Sequence, residues 1–430
     1  MFGGWPTAGR CGARAASAVA LAASCALAAA AQASPGSLTS AAELASIKAL
    51  ADASIEPYAA DRERLLVDAR RDWPWGSVSG EYTTTGTSSS KKCHPVADAT
   101  GADYLAEGAP DAYAQALGAH LAGDDALAQQ ARAHVLDLVD TFGFHGQTGD
   151  YSGGNQCVLE LAVSVPVWVE TARLLADTSV WSDADTAAFR TWLASRVYPL
   201  VAWASRTRRN NWGAAGSLAA YTIATYVDGG VAKLVESAPA QLALSPGQAA
   251  AAHADMQLRR IGSAWAGDAQ CARFGIQDYG GIPEELRRGS TGCDGTSLAQ
   301  RDSSLSYQTM HAELLVFHAE AMRRQGSLAL YQAKVSAGAD AILQSILFVI
   351  DNPAGGASWP WHEARWGTLI TAATFYDHAS LAAAAQLDAT FRGGRALPYT
   401  RLTHRPFAQS SPDPAEEIGV PGKPELVSAR

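Results

Sequence analysis

The chain has 430 residues, is 48% hydrophobic, and carries 33 Lys and Arg against 42 Asp and Glu, a formal charge of −9. A protein this acidic does not attract a polyanion with its whole surface, so nucleic acid is excluded as the expected partner, and an acidic ligand has to be met by a local basic cleft. The length exceeds a typical domain but suits one large repetitive architecture.

Residues 1–33 read as an address. Arg10 and Arg14 precede an Ala/Leu/Val run that closes with Ala31-Gln32-Ala33, a small-x-small cleavage pattern ahead of Ser34 and Pro35. This is the layout of a secretory signal peptide. Cys25 has no Leu three residues before it, as a lipoprotein signal would require. Loss of the two arginines takes the remaining chain to −11. Later apolar stretches are broken by charge or Pro, so no membrane contact is expected after cleavage and the protein is expected to be secreted, to the periplasm or beyond.

From 34 to 393 helical periodicity dominates. The pattern predicts helical stretches near 41–71, 110–122, 183–204, 213–227, 247–264, 304–324, 327–350 and 367–387. Leu127, Ala131, Val135, Leu138 and Phe142 share one stripe, and Leu161, Val165, Trp168, Ala172 and Leu175 another. Asp124 is placed to cap the first, and Ser182 with Asp185 resembles a helix start. Strand-like alternation is scarce. The expected fold class is all-α, antiparallel helical hairpins nested into an (α/α) toroid or incomplete barrel. A solenoid or an irregular bundle fits the same periodicity.

Irregular segments interrupt this pattern at 73–108, 270–300 and 352–367, the last holding Trp359-Pro360-Trp361-His362. Loops of this length inside a domain are usually functional or disordered. Residues 394–430 are Pro-rich and polar, and are expected to form a poorly packed tail. After cleavage four cysteines remain: Cys93, Cys157, Cys271 and Cys293. None has zinc spacing, and an even number in an exported chain favours disulfides. Cys271 with Cys293 is the nearest pair, which leaves Cys93 with Cys157. No metal and no cofactor is expected.

Two segments offer chemistry. Arg206-Thr207-Arg208-Arg209-Asn210-Asn211-Trp212 opens a helix, where adjacent amides and the positive end of the dipole suit a carboxylate. The plainer explanation is that one Asn is the N-cap. The second is Ile282-Pro283-Glu284-Glu285-Leu286-Arg287-Arg288-Gly289, followed by Arg301 and Ser306-Tyr307-Gln308. A phenol beside a guanidinium is a candidate base and acid, because a positive neighbour favours the phenolate. A half-buried Tyr with a satisfied hydroxyl is the plainer alternative.

In this order, across about residues 140–370, these segments resemble the alginate-lyase-domain polysaccharide lyases. Those enzymes carry an Asn-Asn-His-like motif, a Pro-x-Glu-Leu-x-Arg-Gly stretch, an Arg…Ser/Ala-Tyr helix start and a later aromatic segment. The resemblance implies an (α/α) toroid and metal-independent β-elimination on an anionic polysaccharide, glucuronan or alginate/polymannuronate, leaving a 4,5-unsaturated uronate. Asn211 would hold the substrate carboxylate with an Arg assisting, and Tyr307 would move the protons.

Two departures matter. The motif's His is Trp212 here, a pattern nearer the glucuronan and mannuronan lyases of polysaccharide lyase family 38 than the alginate lyases of family 5. An insertion carrying Cys293 separates Arg288-Gly289 from Arg301, and Arg301 is favoured as the catalytic Arg for its nearness to Tyr307. A replacement His could come from His145, in a Gly-rich turn, from His311, one turn beyond Tyr307, or from His362. Gln156 and Asn210 add amides, Arg288 a charge and Trp212 a further substrate contact, while Trp73, Trp75, Trp359 and Trp361 offer surfaces for sugar rings. A glycoside hydrolase would need a carboxylate pair, for which Glu160, Asp278 and Glu363 are candidates. A non-catalytic sugar-binding protein would need the Trp loops without Arg301 and Tyr307.

Overall fold

The computed structural model describes residues 38–71, 82–85, 92–95, 104–141, 156–237, 241–262, 265–288, 292–294, 302–352, 367–386 and 397–405. Their order is α1 (Ala41–Asp52), α2 (Tyr58–Ala69), β1 (Tyr82–Thr85), β2 (Lys92–Pro95), α3 (Tyr104–Ala122), α4 (Asp125–Thr141), α5 (Gln156–Ala176) and α6 (Asp183–Trp192). A π-helical turn, Leu193–Val197, leads into α7 (Tyr198–Thr207) and α8 (Asn211–Val227). Then follow β3 (Leu234–Val235), β4 (Ala243–Leu244), α9 (Pro246–Ile261), α10 (Pro283–Arg288) and α11 (Asp302–Arg324). The chain continues through α12 (Ala341–Asp351), α13 (Gly367–Ala373), α14 (Ala379–Gln386) and α15 (Thr400–Thr403). The strands make two antiparallel pairs, β1 with β2 and β3 with β4.

Packing follows the apolar stripes. α3 lies against α5, α5 against α8, α8 against α11, and α11 against α13, while α7 and α9 flank α8 on its other sides. Helix α8 is almost wholly enclosed: every residue except Thr225 is buried. Its small residues explain why. A Cβ at Gly216 would sit 2.6 Å from the Ser205 nitrogen and the Val201 carbonyl, so glycine lets α7 and α8 approach backbone to backbone. Leu127, Ala131, Val135 and Leu138 of α4 are buried, as are Leu161, Val165, Trp168, Ala172 and Leu175 of α5.

Capping accounts for the boundaries. Asp124 Oδ1 accepts from the Ala126 and Leu127 amides, and Ser182 with Asp185 forms a reciprocal capping box. Where the helices fall short of the periodic stretches, a local residue is responsible. The 41–71 stretch breaks before Pro57, which has no N–H to continue a ladder. Residues 327–340 are turns rather than helix: Gly326 and Gly338 adopt positive φ, and Lys334 bridges to Asp340 before α12 begins. The 367–387 stretch is likewise two helices.

The segment 397–405 departs from the expected tail. Leu397, Tyr399 and Leu402 are buried, the Tyr399 hydroxyl donates to Asp68, and Arg401 Nε lies 3.2 Å from Asp61. Its apolar residues are few, but Tyr399 stacks on Tyr113 of α3 with ring centroids 6.4 Å apart, and α15 packs against α1, α2 and α13. With the Arg324–Glu43 bond of 2.6 Å, these contacts tie the two ends of the described chain together. Cys271 and Cys293 form a disulfide with Cα atoms 5.8 Å apart. Cys93 lies in β2 and Cys157 in the first turn of α5, with side chains outside the described residues. Among the described residues no helix is long and apolar enough to cross a membrane.

Candidate active site

The starts of α8 and α11 converge on α10. Between α7 and α8 the chain turns through 208–210: Arg208 is extended, and Asn210 caps α8 by accepting from the Trp212 amide at 3.2 Å. Asn211 is then the first helical residue, 1% exposed. Arg260 of α9 fixes this turn from behind. Its Nη2 donates to the Ser205 and Arg208 carbonyls, and its Nη1 donates to Ser217 Oγ at 2.6 Å and Gln257 Oε1 at 3.2 Å. The end of a helix leaves such carbonyls without partners and concentrates negative charge there, which a buried cation satisfies. Burial, and then the charge of Arg206, lowers the Arg260 guanidinium to about 9. Gly213 makes room, since a Cβ there would strike the Arg208 carbonyl and lie 2.7 Å from Arg260 Nε.

α10 is held on α11 by polar bonds. Gln308 accepts from the Ile282 amide at 2.8 Å and donates to the Gly280 carbonyl and Ser345 Oγ, while Ser304 Oγ donates to the Leu286 carbonyl at 2.8 Å. That anchoring sets Glu285 and Arg288, one helical turn apart, toward α8 and α11.

Glu285 is fully buried and gathers three donors: the Asn211 backbone N–H, the His311 Nδ1 at 2.8 Å and Arg288 Nη1 at 3.1 Å. Arg288 Nη1 also donates to Asn211 Oδ1 at 2.8 Å, and its guanidinium lies over the Tyr307 ring, 4.2 Å from the centroid. Asn211 Nδ2 donates to Met310 Sδ, a weak acceptor. Asn211, Glu285 and His311 therefore form a buried floor. Arg288, whose side chain is 26% exposed, and half-buried Tyr307 sit above it.

The flanking charges are separately paired. Arg287 binds Asp268 at 2.7 Å and Glu284 at 2.6 Å. The hydrogen bond from Arg287 holds Asp268 at about 2, whereas burial raises the Glu284 carboxyl despite its Arg neighbours.

Of the residues singled out by sequence, Asn211, Arg288, Tyr307 and His311 come together. Asn210 is occupied as a cap, and Trp212, 8% exposed, faces the Arg208 guanidinium at 5.2 Å. Arg301, His145, Trp73, Trp75, Trp359, Trp361 and His362 lie outside the described residues, as does the side chain of Gln156. Sequence reasoning gave no role to Glu285, although its spacing of three before Arg288 was a usable signal. Arg260 had no local signal, because the carbonyls it satisfies lie about fifty residues earlier. Of the alternative acids, Glu160 is buried in α5, Asp278 accepts from the Ala337 amide at 2.8 Å, and Glu363 is outside the described residues. Two concavities lie elsewhere. One of about 410 Å³ is lined by Arg173, Arg190 and Tyr226 at the far ends of α5 and α8, and one of about 570 Å³ lies against the π-helical turn.

No protein-family model matches the chain, and no curated protein matches it. Among solved structures, the chain is similar to an alginate lyase from Bacteroides ovatus, with a TM-score of 0.56 and 16% identity over 85% of this chain and 98% of that one. At this identity the likeness is one of fold: the protein is all-α and of the (α/α)-toroid type.

Proposed function

We propose that the protein is an exported polysaccharide lyase that cleaves a uronic-acid polymer by β-elimination. The observation that carries this reading is the stacking of Arg288 on Tyr307 above Asn211 and Glu285. The fold neighbour, an alginate lyase, supports the same class of substrate. The disulfide beside the cluster suits an oxidising compartment.

In β-elimination a base removes the C5 proton of a uronate, the C4–O bond breaks, and the departing oxygen takes a proton. The C5 proton is acidic enough only when the adjacent carboxylate's charge is offset by donors aimed at it. Arg288 is the group that meets this carboxylate. Asn211 and Glu285 fix its guanidinium, so little ordering is left for substrate to impose. Tyr307, reaching solvent beside Arg288, takes the C5 proton as phenolate and returns one to the leaving oxygen. His311 acts through Glu285, since it is buried and bonded to that carboxylate. Arg301, favoured on sequence nearness, remains a candidate for a second charge on the same carboxylate.

The test is product chemistry on a panel of glucuronan, polymannuronate and polyguluronate, with a chelator present. A lyase generates unsaturated, ultraviolet-absorbing ends in step with new reducing ends. Reducing ends without absorbance would replace this reading with hydrolysis. Loss of turnover in chelator that calcium restores would replace the Arg288 role with a metal.

A further inference from the structure

The turn that presents Asn211 carries two guanidiniums for which the proposed reaction has no use. Arg206, at its start, is matched by Glu236 through two bonds of 2.9 Å. Arg208 and Arg209 have no carboxylate partner among the described residues. Both are held by aromatic rings instead. The Arg208 guanidinium lies 5.1 Å from the Trp203 ring and 5.2 Å from that of Trp212. Arg209 lies 5.0 Å over Phe274, which Arg287 approaches at 4.9 Å.

Arg208 is the more telling of the two. It is half-buried, its Nε is buried with no hydrogen-bond partner among the described residues, and its guanidinium lies over two indole rings. Stacking on aromatics is a modest attraction, and it satisfies no N–H. A partly desolvated guanidinium left in this state is short of an anion. Burial and then the positive charge of Arg288 disfavour the charged form of Arg208, so the two cations act on each other. The nearby acids do not relieve them: Glu285 is committed to Arg288, the Asn211 amide and His311, and Glu284 and Asp268 to Arg287. The planar, stacked guanidinium matches a carboxylate in two-pronged geometry.

We propose that Arg208, with exposed Arg209 at its rim, is a subsite for the carboxylate of a sugar unit neighbouring the one that is cleaved. The protein then selects runs of consecutive uronates over polymers in which uronates alternate with neutral sugars. This rests on the lyase reading for the position of the cleaved unit, but the binding of a second carboxylate is measurable without turnover.

The experiment is calorimetry on Tyr307→Phe protein, whose turnover is expected to be too slow to consume the probe during titration, with and without Arg208→Gln. The probes are a tetramer of four uronates and the same tetramer with all but one carboxylate reduced to alcohols. The expected result is that the Tyr307→Phe protein prefers the fully charged tetramer. Adding Arg208→Gln weakens its binding about ten- to a hundredfold, as for loss of a hydrogen bond to a charged group, and abolishes the preference. Equal affinity of the two proteins for the charged tetramer overturns the subsite. Should Arg208→Gln not fold, Arg209→Gln replaces an exposed side chain and is expected to weaken binding about threefold; no weakening overturns the proposal equally. Turnover by the unmutated protein is read in parallel. Arg208-dependent binding without unsaturated products from any uronate polymer would keep the subsite and remove the lyase reading.

Discussion

The Arg288 guanidinium lies 4.2 Å from the centre of the Tyr307 ring, although the two residues sit on different helices and are separated by an insertion in sequence. The contact exists because Gln308 and Ser304 bolt α10 to the first turns of α11, and because Glu285 and Asn211 hold Arg288 from below. Its consequence is directional. Arg288→Lys keeps a charge but loses the planar fork, so kcat/KM on the best uronate polymer is expected to fall at least about tenfold. Arg288→Ala is expected to cost about 10²–10³, the scale for losing one donor to a developing negative charge. Equal activity of the Lys variant and the parent would mean that Arg288 acts as a simple point charge.

Glu285 is the buried counterpart of that cation. Glu285→Gln preserves shape and can still accept from the Asn211 amide, but it removes the charge that Arg288 faces. Breaking a buried pair on one side typically costs about 3–5 kcal/mol. The expected outcome is a clearly lower melting temperature together with a raised KM, read by thermal unfolding and steady-state kinetics. A variant with unchanged melting temperature contradicts the role of Glu285 as the hub.

The turn before α8 is expected to be intolerant of volume. Gly213→Ala drives a methyl group into the Arg208 carbonyl and toward Arg260 Nε. Overpacking of this kind costs about 1–3 kcal/mol. Because the displaced turn carries Asn211, activity is expected to fall further than stability alone explains, when both are measured at a temperature where the variant is folded. Full activity in Gly213→Ala would show that the turn can shift without disturbing the site.

How far the sequence reveals these arrangements depends on range. Helix starts such as those capped by Asp124, and by Ser182 with Asp185, were legible because a cap and its amides lie within one turn. The stripes of α4 and α5 were legible because burial repeats with helical period. The break at Pro57, the turns around Gly326 and Gly338, and the packed segment 397–405 were obscured by periodicity that continued past the true boundary or by polar composition. In the site, Asn211 and Tyr307 stood out by type and order. Arg260 did not, since the carbonyls it satisfies are set by tertiary packing and no local pattern encodes them.

Acid sensitivity follows from buried histidines. Burial drives His318 down to about 3 and His404 to about 4, and it lowers His253 as well. Neither ring nitrogen of His318 has a hydrogen-bond partner among the described residues, and its ring packs 4.8 Å from that of Tyr221. An unfolded His titrates near 6.5, so between about 6.5 and 3 the unfolded chain binds more protons, and stability falls as pH drops. Each such group contributes up to about 1.4 kcal/mol per pH unit. Carboxylates such as Asp185, held at about 2 by its bond from Arg132, matter only below about pH 4. The melting temperature is therefore expected to fall between pH 7 and pH 5, and to fall less in His318→Leu. An equal fall in both proteins would remove His318 from this account.

The central claim is tested most directly by Tyr307→Phe, assayed for ultraviolet-absorbing unsaturated ends on the uronate polymer that the parent protein cleaves best. The substitution deletes one oxygen from a half-buried ring and leaves the stacking surface for Arg288 in place. A general acid–base group typically contributes ~10²–10⁴ in rate, and one phenol performing both proton transfers belongs at the upper end. The account predicts a folded variant whose kcat falls by about that range while KM changes little, as for an interaction made mainly in the transition state. Near-normal release of unsaturated ends by Tyr307→Phe would contradict it, leaving Tyr307 a structural tyrosine and the elimination without its acid and base.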